Sequence, residues 1–87
     1  MSAFIITRIQ VGDYETWRPM FDQDRPRARE KASAQRVFRC ADDPGQVCVL
    51  LEFASLADAT QARDRLVQSG VLDRFEEVHG PTVVREA

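Results

Sequence analysis

Two apolar segments joined by a turn occupy the middle of the chain, and in both of them apolar residues fall at odd and at even positions. The segments are 35–41 and 46–53, and the turn is 42–45, Asp-Asp-Pro-Gly, in which proline fixes φ and glycine tolerates a positive φ. One alternation consists of Val37, Ala41, Val47, Val49, Leu51 and Phe53, and the other of Phe38, Cys40, Cys48 and Leu50. A sheet with one wet face normally alternates apolar and polar residues. The pattern therefore predicts a hairpin that is covered on both faces.

Two further strands are predicted near the ends of the chain. Residues 4–11 are rich in β-branched side chains and predict the first strand. Residues 82–86 predict a short last strand, because the preceding His79-Gly80-Pro81 should interrupt regular structure. Residues 71–78, just before that break, have apolar side chains at helical spacing.

Two helices are predicted, one before the hairpin in the sequence and one after it. Asp13 is a good N-cap for the first helix, and Pro26 should kink or divide it, because proline lacks an amide donor and crowds the preceding turn. Ser55 is expected to cap the second helix, and Gly70 to end it. The apolar stripe of the first helix consists of Tyr14, Trp17, Phe21 and Ala28. That of the second consists of Leu56, Ala59, Ala62 and Leu66.

The predicted order of elements is β-α-β-β-α-β, the arrangement of ferredoxin-like α+β domains. In that fold two helices cover one face of a four-stranded antiparallel sheet, and the other face, called the open sheet face below, stays bare. The second apolar alternation of the hairpin, which begins at Phe38, falls on the open sheet face. With 87 residues the chain has helices enough for one face only. We therefore expect a single domain over residues 1–87 that forms a homodimer through its open sheet face.

Composition and charge narrow the range of partners. Apolar residues make up 44% of the chain and charged residues 30%, as in ordinary soluble globular proteins. The net charge is −2, and the basic cluster 25–31 is interpreted as a solvated helix face, so no nucleic-acid partner is expected. No apolar run approaches the roughly 20 residues that span a bilayer, and residues 1–8 lack the features of a signal peptide. We expect a cytoplasmic protein without a membrane partner.

Segments from almost the whole chain carry a family resemblance. They are 11–22, 36–39, 42–44, 49–53, 55–59 and 80–82, and they combine the Tyr14, Trp17 and Phe21 helix with the Asp-Asp-Pro hairpin. Together they resemble small bacterial proteins of the dimeric α/β-barrel superfamily, described as cyclase-like or antibiotic-biosynthesis-monooxygenase-like. The resemblance implies a homodimeric α/β barrel. The superfamily includes cofactor-free monooxygenases, polyketide cyclases, muconolactone isomerase-like proteins and haem-degrading enzymes, but the Asn, Trp and His set of the haem-degrading members cannot be placed on this chain.

Three aromatic residues of the first helix are candidates for binding a small aromatic ligand. Tyr14 and Trp17 are neighbours on one helical face, and Phe21 lies one turn further on. One interpretation is that they line a pocket between helices and sheet, where the phenol would donate a hydrogen bond. The other is that they anchor the helix to the sheet with their polar tips partly wet.

The turn also suggests a register for the hairpin. If the strands pair about Pro44, Cys40 lies opposite Cys48. The same register places Arg36 opposite Glu52 on the open sheet face. The two cysteines are too few for a disulfide scaffold and lack the spacing of metal ligands, so we interpret them as small buried hydrophobes.

Arg36, Glu52 and His79 are the candidates for polar chemistry. Arg36 and Glu52 either form polar walls of a cavity inside the dimer, where the arginine would hold a carboxylate or enolate oxygen, or form an ion pair at the dimer rim. Imidazole suits proton transfer at neutral pH, and a loop before Gly80 would present His79 for it. Otherwise His79 is a surface or hinge residue.

Two functions remain open at this point. The sequence holds no metal, phosphate-loop or nucleophile motif, so we expect no cofactor. The first function is a cofactor-free monooxygenase or cyclase that acts on an aromatic or polyketide-like molecule. In it the three aromatic residues would line the pocket, Arg36 would hold an oxygen anion and His79 would move a proton. The second is a non-catalytic homodimer that binds a small ligand or a partner.

Overall fold

A four-stranded antiparallel sheet and two α-helices make up the computed structural model, which describes residues 2–24 and 27–87. The strands are β1 (Ala3–Gln10), β2 (Ala34–Arg39), β3 (Gln46–Phe53) and β4 (Val78–Arg85). The helices are α1 (Tyr14–Asp22) and α2 (Leu56–Gln68), and a short 3-10 helix spans Val71–Arg74. The strands lie in the order β2-β3-β1-β4, and every pair is antiparallel. The predicted ferredoxin-like β-α-β-β-α-β fold is confirmed.

The two central strands explain where the core lies. Burial alternates strictly along β1 and β3, so that every second residue faces the helices. The buried residues are Ala3, Ile5, Thr7 and Ile9 of β1 and Val47, Val49, Leu51 and Phe53 of β3. Trp17 of α1 and two alanines of α2 complete the core. The other alternation of the hairpin falls on the open sheet face, as predicted: Phe38 is 46% exposed there, and Ile6 of β1 is 41% exposed.

The first helix begins where the sequence predicts. Asp13 caps α1, and its carboxylate accepts hydrogen bonds from the Glu15 amide at 3.1 Å and from the Thr16 hydroxyl at 2.7 Å. The helix ends at Asp22. Pro26, which was expected to kink or divide it, lies outside the described residues.

The cap of α1 makes the stability of the protein depend on pH. Hydrogen bonds from the Thr16 side chain and the Glu15 amide hold the pKa of the Asp13 carboxyl below its ordinary value, because they stabilise the charged form. Such a group stabilises the folded state above its unfolded pKa of about 3.9, and the contribution is lost as the pH falls through the lowered folded pKa. We expect Asp13→Ala to lower the urea midpoint at neutral pH, with a difference from wild type that shrinks below about pH 4. The same difference in urea midpoint between variant and wild type at neutral pH and below about pH 4 would contradict this linkage.

The second helix also begins at its predicted cap. Ser55 Oγ accepts a hydrogen bond from a backbone amide of the first turn at 3.1 Å, and Gly70, with a φ of 73°, follows the end of the helix. Ala59 and Ala62 of the predicted apolar face are buried, whereas Leu56 is 45% exposed. The prediction that Leu56 belongs to the apolar face that packs on the core was wrong, because Leu56 is the first residue of α2 and lies outside the core cluster. No helix in the described ranges 2–24 and 27–87 combines the length and hydrophobicity needed to cross a membrane.

The register of the hairpin differs from the predicted one by two residues. Arg36 faces Leu50 across the strands and not Glu52. Cys40 lies beyond the end of β2 and is not opposite Cys48. Both predicted pairs were therefore wrong. The thiols are free and half-buried.

The turn explains this shift. The Asp43 carbonyl accepts a hydrogen bond from the Gln46 amide at 2.9 Å, and its side chain accepts one from the Gly45 amide at 3.1 Å. The Cys40 amide donates to the Gln46 carbonyl at 2.9 Å, which closes the loop and centres the hairpin on Asp43 instead of Pro44. A shift of two residues leaves every side chain on its predicted face, because the side-chain period of a strand is two.

The last strand begins earlier than predicted and contains a bulge. Residues 79–81, expected to interrupt regular structure, lie within β4. The pairing with β1 shifts between Ile6 and Arg8, and Gly80 adopts a φ of 97° there. A Cβ at Gly80 would stand 2.6 Å from the Ile6 carbonyl oxygen, so the bulge requires glycine. His79 therefore lies on a strand, opposite Arg8, and not in a loop.

Candidate functional site

A cavity of about 250 Å³ lies between the sheet and the helices. Residues of β1 and β3 form its floor, and α1, the segment after α1, the end of α2 and the 3-10 helix form its walls. Fifteen described residues line it, and all are apolar except Thr7, Asp24, Arg29 and Arg74. An apolar wall with a few polar groups is the usual construction of a site for a small molecule.

Trp17 and Phe21 form the aromatic wall of the cavity. They lie on successive turns of α1 and stack with ring centroids 4.8 Å apart. Trp17 is 6% exposed and is the only buried residue of α1. Tyr14, the third aromatic candidate, lies 5.9 Å from Trp17 but does not line the cavity, and its hydroxyl oxygen accepts a hydrogen bond from Arg18 at 2.8 Å. Two of the three predicted aromatic residues thus meet at the cavity.

Asp24 and Arg29 form an ion pair in the wall of the cavity. Arg29 Nε lies 3.4 Å from Asp24 Oδ1, and the Arg29 amide donates to the same carboxylate at 3.1 Å. The guanidinium also lies 3.8 Å from the centroid of the Phe21 ring, donates to the Phe21 carbonyl and donates to Gln35 Oε1 at 2.9 Å. These contacts hold the segment after α1 against the helix, next to the buried Ala28, which the sequence had placed on the helix itself.

Thr7 and Arg74 line the same cavity but have unused hydrogen-bonding capacity. The structure records no hydrogen bond between the Thr7 hydroxyl and another described residue. No side-chain oxygen or nitrogen of the described residues is both fully buried and unpartnered, so this hydroxyl oxygen is reached from the cavity. Arg74 is exposed, and its Nη1 lies 3.7 Å from Met20 Sδ, a weak acceptor. The contact joins the 3-10 helix to α1 and marks the mouth of the cavity.

Arg36, Glu52 and His79 lie on the open sheet face, across the sheet from the cavity. Glu52 occupies an open-face position of β3, between buried residues. Arg36 and His79 pair across the sheet with residues that occupy open-face positions of the neighbouring strands. The His79 side chain is 62% exposed, and its Nε2 lies 3.3 Å from Glu77 Oε1. Within one copy of the chain these three residues therefore do not meet Trp17 and Phe21.

Sequence reasoning missed Thr7, Arg29 and Arg74 as cavity residues. Thr7 had a readable signal, because it is a hydroxyl residue in the row of apolar side chains that β1 presents to the core. The two arginines had none, since they lie in a connecting segment and in a short 3-10 helix whose positions depend on tertiary packing.

The open sheet face is the other surface that needs an explanation. Ile6 and Leu50 face each other on neighbouring strands, and Phe38 faces Cys48 one step along. Two large apolar side chains of this group, Ile6 and Phe38, are more than two-fifths exposed. Contiguous apolar exposure of this kind marks interaction surfaces more often than single exposed residues do.

Comparison with known proteins gives relatives in structure only. No protein-family model and no curated protein sequence matches the chain. The structure of Rv0793 from Mycobacterium tuberculosis superposes with a TM-score of 0.68 at 15% identity, over 100% of this chain and 96% of that one. A NIPSNAP family protein, ATU5224, from Agrobacterium tumefaciens strain C58 gives 0.65 at 12% identity, over 100% and 94%. Protein SO0527 from Shewanella oneidensis gives 0.65 at 15% identity, over 97% and 93%. At these identities the likeness shows the fold alone, and the chain shares the ferredoxin-like α+β fold of these proteins.

Proposed function

We propose that this protein binds a small, largely apolar molecule of aromatic character in the cavity between α1 and the sheet. The carrying observation is an aromatic-walled space of about 250 Å³ in a chain of only 87 residues. Protein interiors are close-packed, so a space of this size with an apolar lining is typical of a site for a small molecule. A ligand of matching shape would gain apolar contacts with that lining.

The dimensions favour one ring with substituents. A cavity of about 150 Å³ lined by apolar side chains accepts benzene. The additional volume here leaves room for one or two polar substituents on a single ring. The Trp17 and Phe21 rings offer stacking and edge contacts that favour an aromatic ligand over an aliphatic one.

Binding without catalysis is the function that this geometry supports best. Asp24, the only acidic residue among the described lining residues, already pairs with Arg29. The sequence-based candidates for proton transfer and for anion binding, His79 and Arg36, lie across the sheet. The cavity therefore resembles a site that selects and orients a molecule more than one that moves its protons.

We also propose that the working form is a homodimer joined through the open sheet face. Exposed Ile6 and Phe38 lie beside half-buried Leu50 in adjacent rows, and burying such surface stabilises by about 25 cal/mol per Å². Arg36 and Glu52 lie on the same face and carry opposite charges. In an isologous interface a two-fold axis can bring each of these charges opposite the other charge of the second copy.

Titration with small aromatic molecules tests the proposed cavity function. The chain has a single tryptophan, Trp17, so its fluorescence reports occupation of the cavity directly. The panel consists of toluene, phenol and benzoate. We expect at least one of them to bind with a Kd on the order of a millimolar or tighter. Ala28→Leu, which projects into the cavity, should weaken binding at least about tenfold, because it occupies ligand volume.

The matched control is Ala57→Leu, the same change at an exposed position of α2. It should leave every Kd unchanged. Absence of a fluorescence change with any member of the panel, or equal effects of the two leucine variants, would contradict the proposal.

A second candidate is a cofactor-free monooxygenase or cyclase that acts on an aromatic or polyketide-like molecule. It is favoured by the spare hydroxyl of Thr7 and the guanidinium of Arg74 at an otherwise apolar cavity. Such chemistry requires orientation and a group that stabilises an oxyanion. In this candidate Arg74 would take the role that the sequence analysis gave to Arg36. Protein-dependent oxygen uptake with 1-naphthol that is lost in Arg74→Gln would favour it over binding alone.

A further inference from the structure

We infer that the cavity takes a small aromatic carboxylate with a second, hydrogen-bonding oxygen. The acid group pairs with Arg74 at the mouth, and the other oxygen bonds to the Thr7 hydroxyl at the floor. The inference rests on the proposed function of the cavity and names the class of molecule that it binds.

The position of Thr7 points to a polar group on the ligand. Thr7 is 4% exposed and lies between Ile5 and Ile9 in the row of β1 that faces the core. Valine has nearly the same shape and would fill this position without a polar atom. The Thr7 hydroxyl is reached from the cavity and has no hydrogen-bond partner among the described residues, so its partner is whatever fills the cavity. An oxygen on the ligand would serve as that partner, whereas an apolar group would leave the hydroxyl unsatisfied.

The charges around the cavity point to an anion. The described lining residues include two arginines and one aspartate, and Asp24 is paired with Arg29, so among them the positive charge of Arg74 is left in excess. Among the described residues Arg74 contacts the thioether of Met20 and forms no ion pair. A guanidinium with free donors matches the two oxygens of a carboxylate in geometry and in charge.

The two polar residues lie on different elements and line one largely apolar cavity. Thr7 belongs to the strand that forms the floor, and Arg74 to the 3-10 helix at the exposed edge. The aromatic wall of Trp17 and Phe21 lines the same space. A molecule with a carboxylate and a hydroxyl on one aromatic ring carries a partner for each of these two residues and a ring for the aromatic wall.

A matched set of probes separates these contributions. The probes are two hydroxybenzoates (4-hydroxybenzoate and 3-hydroxybenzoate), benzoate, phenol and benzene. Trp17 fluorescence measures the affinity of each. We expect one hydroxybenzoate to bind tightest. Benzoate should be weaker by about threefold to tenfold for the lost hydrogen bond, and phenol by about tenfold or more for the lost ion pair.

Variants assign each contribution to its residue. Thr7→Val should reduce the affinity for the hydroxybenzoate to that for benzoate and leave benzoate itself unchanged, whereas Thr7→Ser, which keeps the hydroxyl, should retain the preference. Arg74→Gln should weaken both benzoates by about tenfold and leave phenol unchanged. Arg63→Gln removes an arginine from an ion pair with Asp64 on α2, away from the cavity, and serves as the charge control.

The outcomes distinguish this inference from the proposal on which it rests. If benzene binds as tightly as the hydroxybenzoates, or Thr7→Val and Thr7→Ser behave alike, the assigned ligand class is wrong while the cavity function stands. If no probe alters the fluorescence of the wild-type protein, both are wrong.

Discussion

Replacing Trp17 by alanine is expected to lower the free energy of unfolding by about 3–5 kcal/mol. Trp17 is the only residue of α1 that is buried, and it stacks on Phe21 with a centroid separation of 4.8 Å. Truncation removes the transfer free energy of the indole and enlarges a cavity that already exists beside it. A domain of 87 residues lies near the lower end of the usual range of about 5–15 kcal/mol for the free energy of unfolding, so the variant should be close to unfolding at room temperature.

Urea unfolding followed by far-ultraviolet circular dichroism measures this effect, because the fluorescent residue is lost in the variant. Met20→Ala on the same helix is the matched control, since Met20 is 37% exposed, and we expect it to cost less than about 1 kcal/mol. Trp17→Phe keeps an aromatic ring and should fall between the two. A Trp17→Ala variant within about 1 kcal/mol of wild type would show that α1 is held by other contacts.

Placing a charge at the middle of the open sheet face is expected to abolish the proposed homodimer. Leu50 lies on β3 between Ile6 of β1 and Arg36 of β2. An aspartate there would replace an apolar contact by a charge that has to leave water when two sheets meet, and even with Arg36 opposite it on β2 this desolvation costs several kcal/mol. We therefore expect Leu50→Asp to weaken dimerisation by at least about a hundredfold.

Sedimentation velocity over a range of protein concentrations measures the dimer. Phe38→Lys, at a position 46% exposed, is a second variant of the open sheet face with little risk to the fold, and it should act in the same direction. Val67→Asp is the control, because Val67 is 56% exposed on α2 and lies on the helix side of the protein. A wild-type protein that sediments as a monomer at tens of micromolar would contradict the dimer. If Leu50→Asp and Phe38→Lys both sediment like a dimeric wild type, the open sheet face is not the interface.

The elements of this fold could be predicted because their signals are local. Strict alternation along β3 follows from the side-chain period of a strand, and the first residues of both helices follow from the hydrogen bonds that Asp13 and Ser55 accept from free amides. The order of these elements was then enough for the ferredoxin-like fold and for the prediction of a second apolar face. Each of these inferences needs residues only a few positions apart.

The hairpin register and the start of β4 failed for the opposite reason. Which pair closes the loop depends on the bonds that Asp43 accepts, and the sequence Asp-Asp-Pro-Gly permits more than one centre. Gly80 looked like an interruption, whereas its left-handed conformation forms a bulge that β1 accommodates. In both places the local sequence correctly indicated a departure from regular strand geometry but did not indicate how the neighbouring strand pairs there.

By itself, the sequence determined the α+β fold, the faces of the strands and the presence of an apolar surface that the helices leave bare. Only the tertiary structure decided where chemistry can occur. It brought Thr7 near the beginning of the chain and Arg74 near its end to one cavity with Trp17 and Phe21, and it left Arg36, Glu52 and His79 across the sheet. The physical reason is that the face of a residue follows from local periodicity, whereas the meeting of distant side chains follows from how strands pair and helices pack.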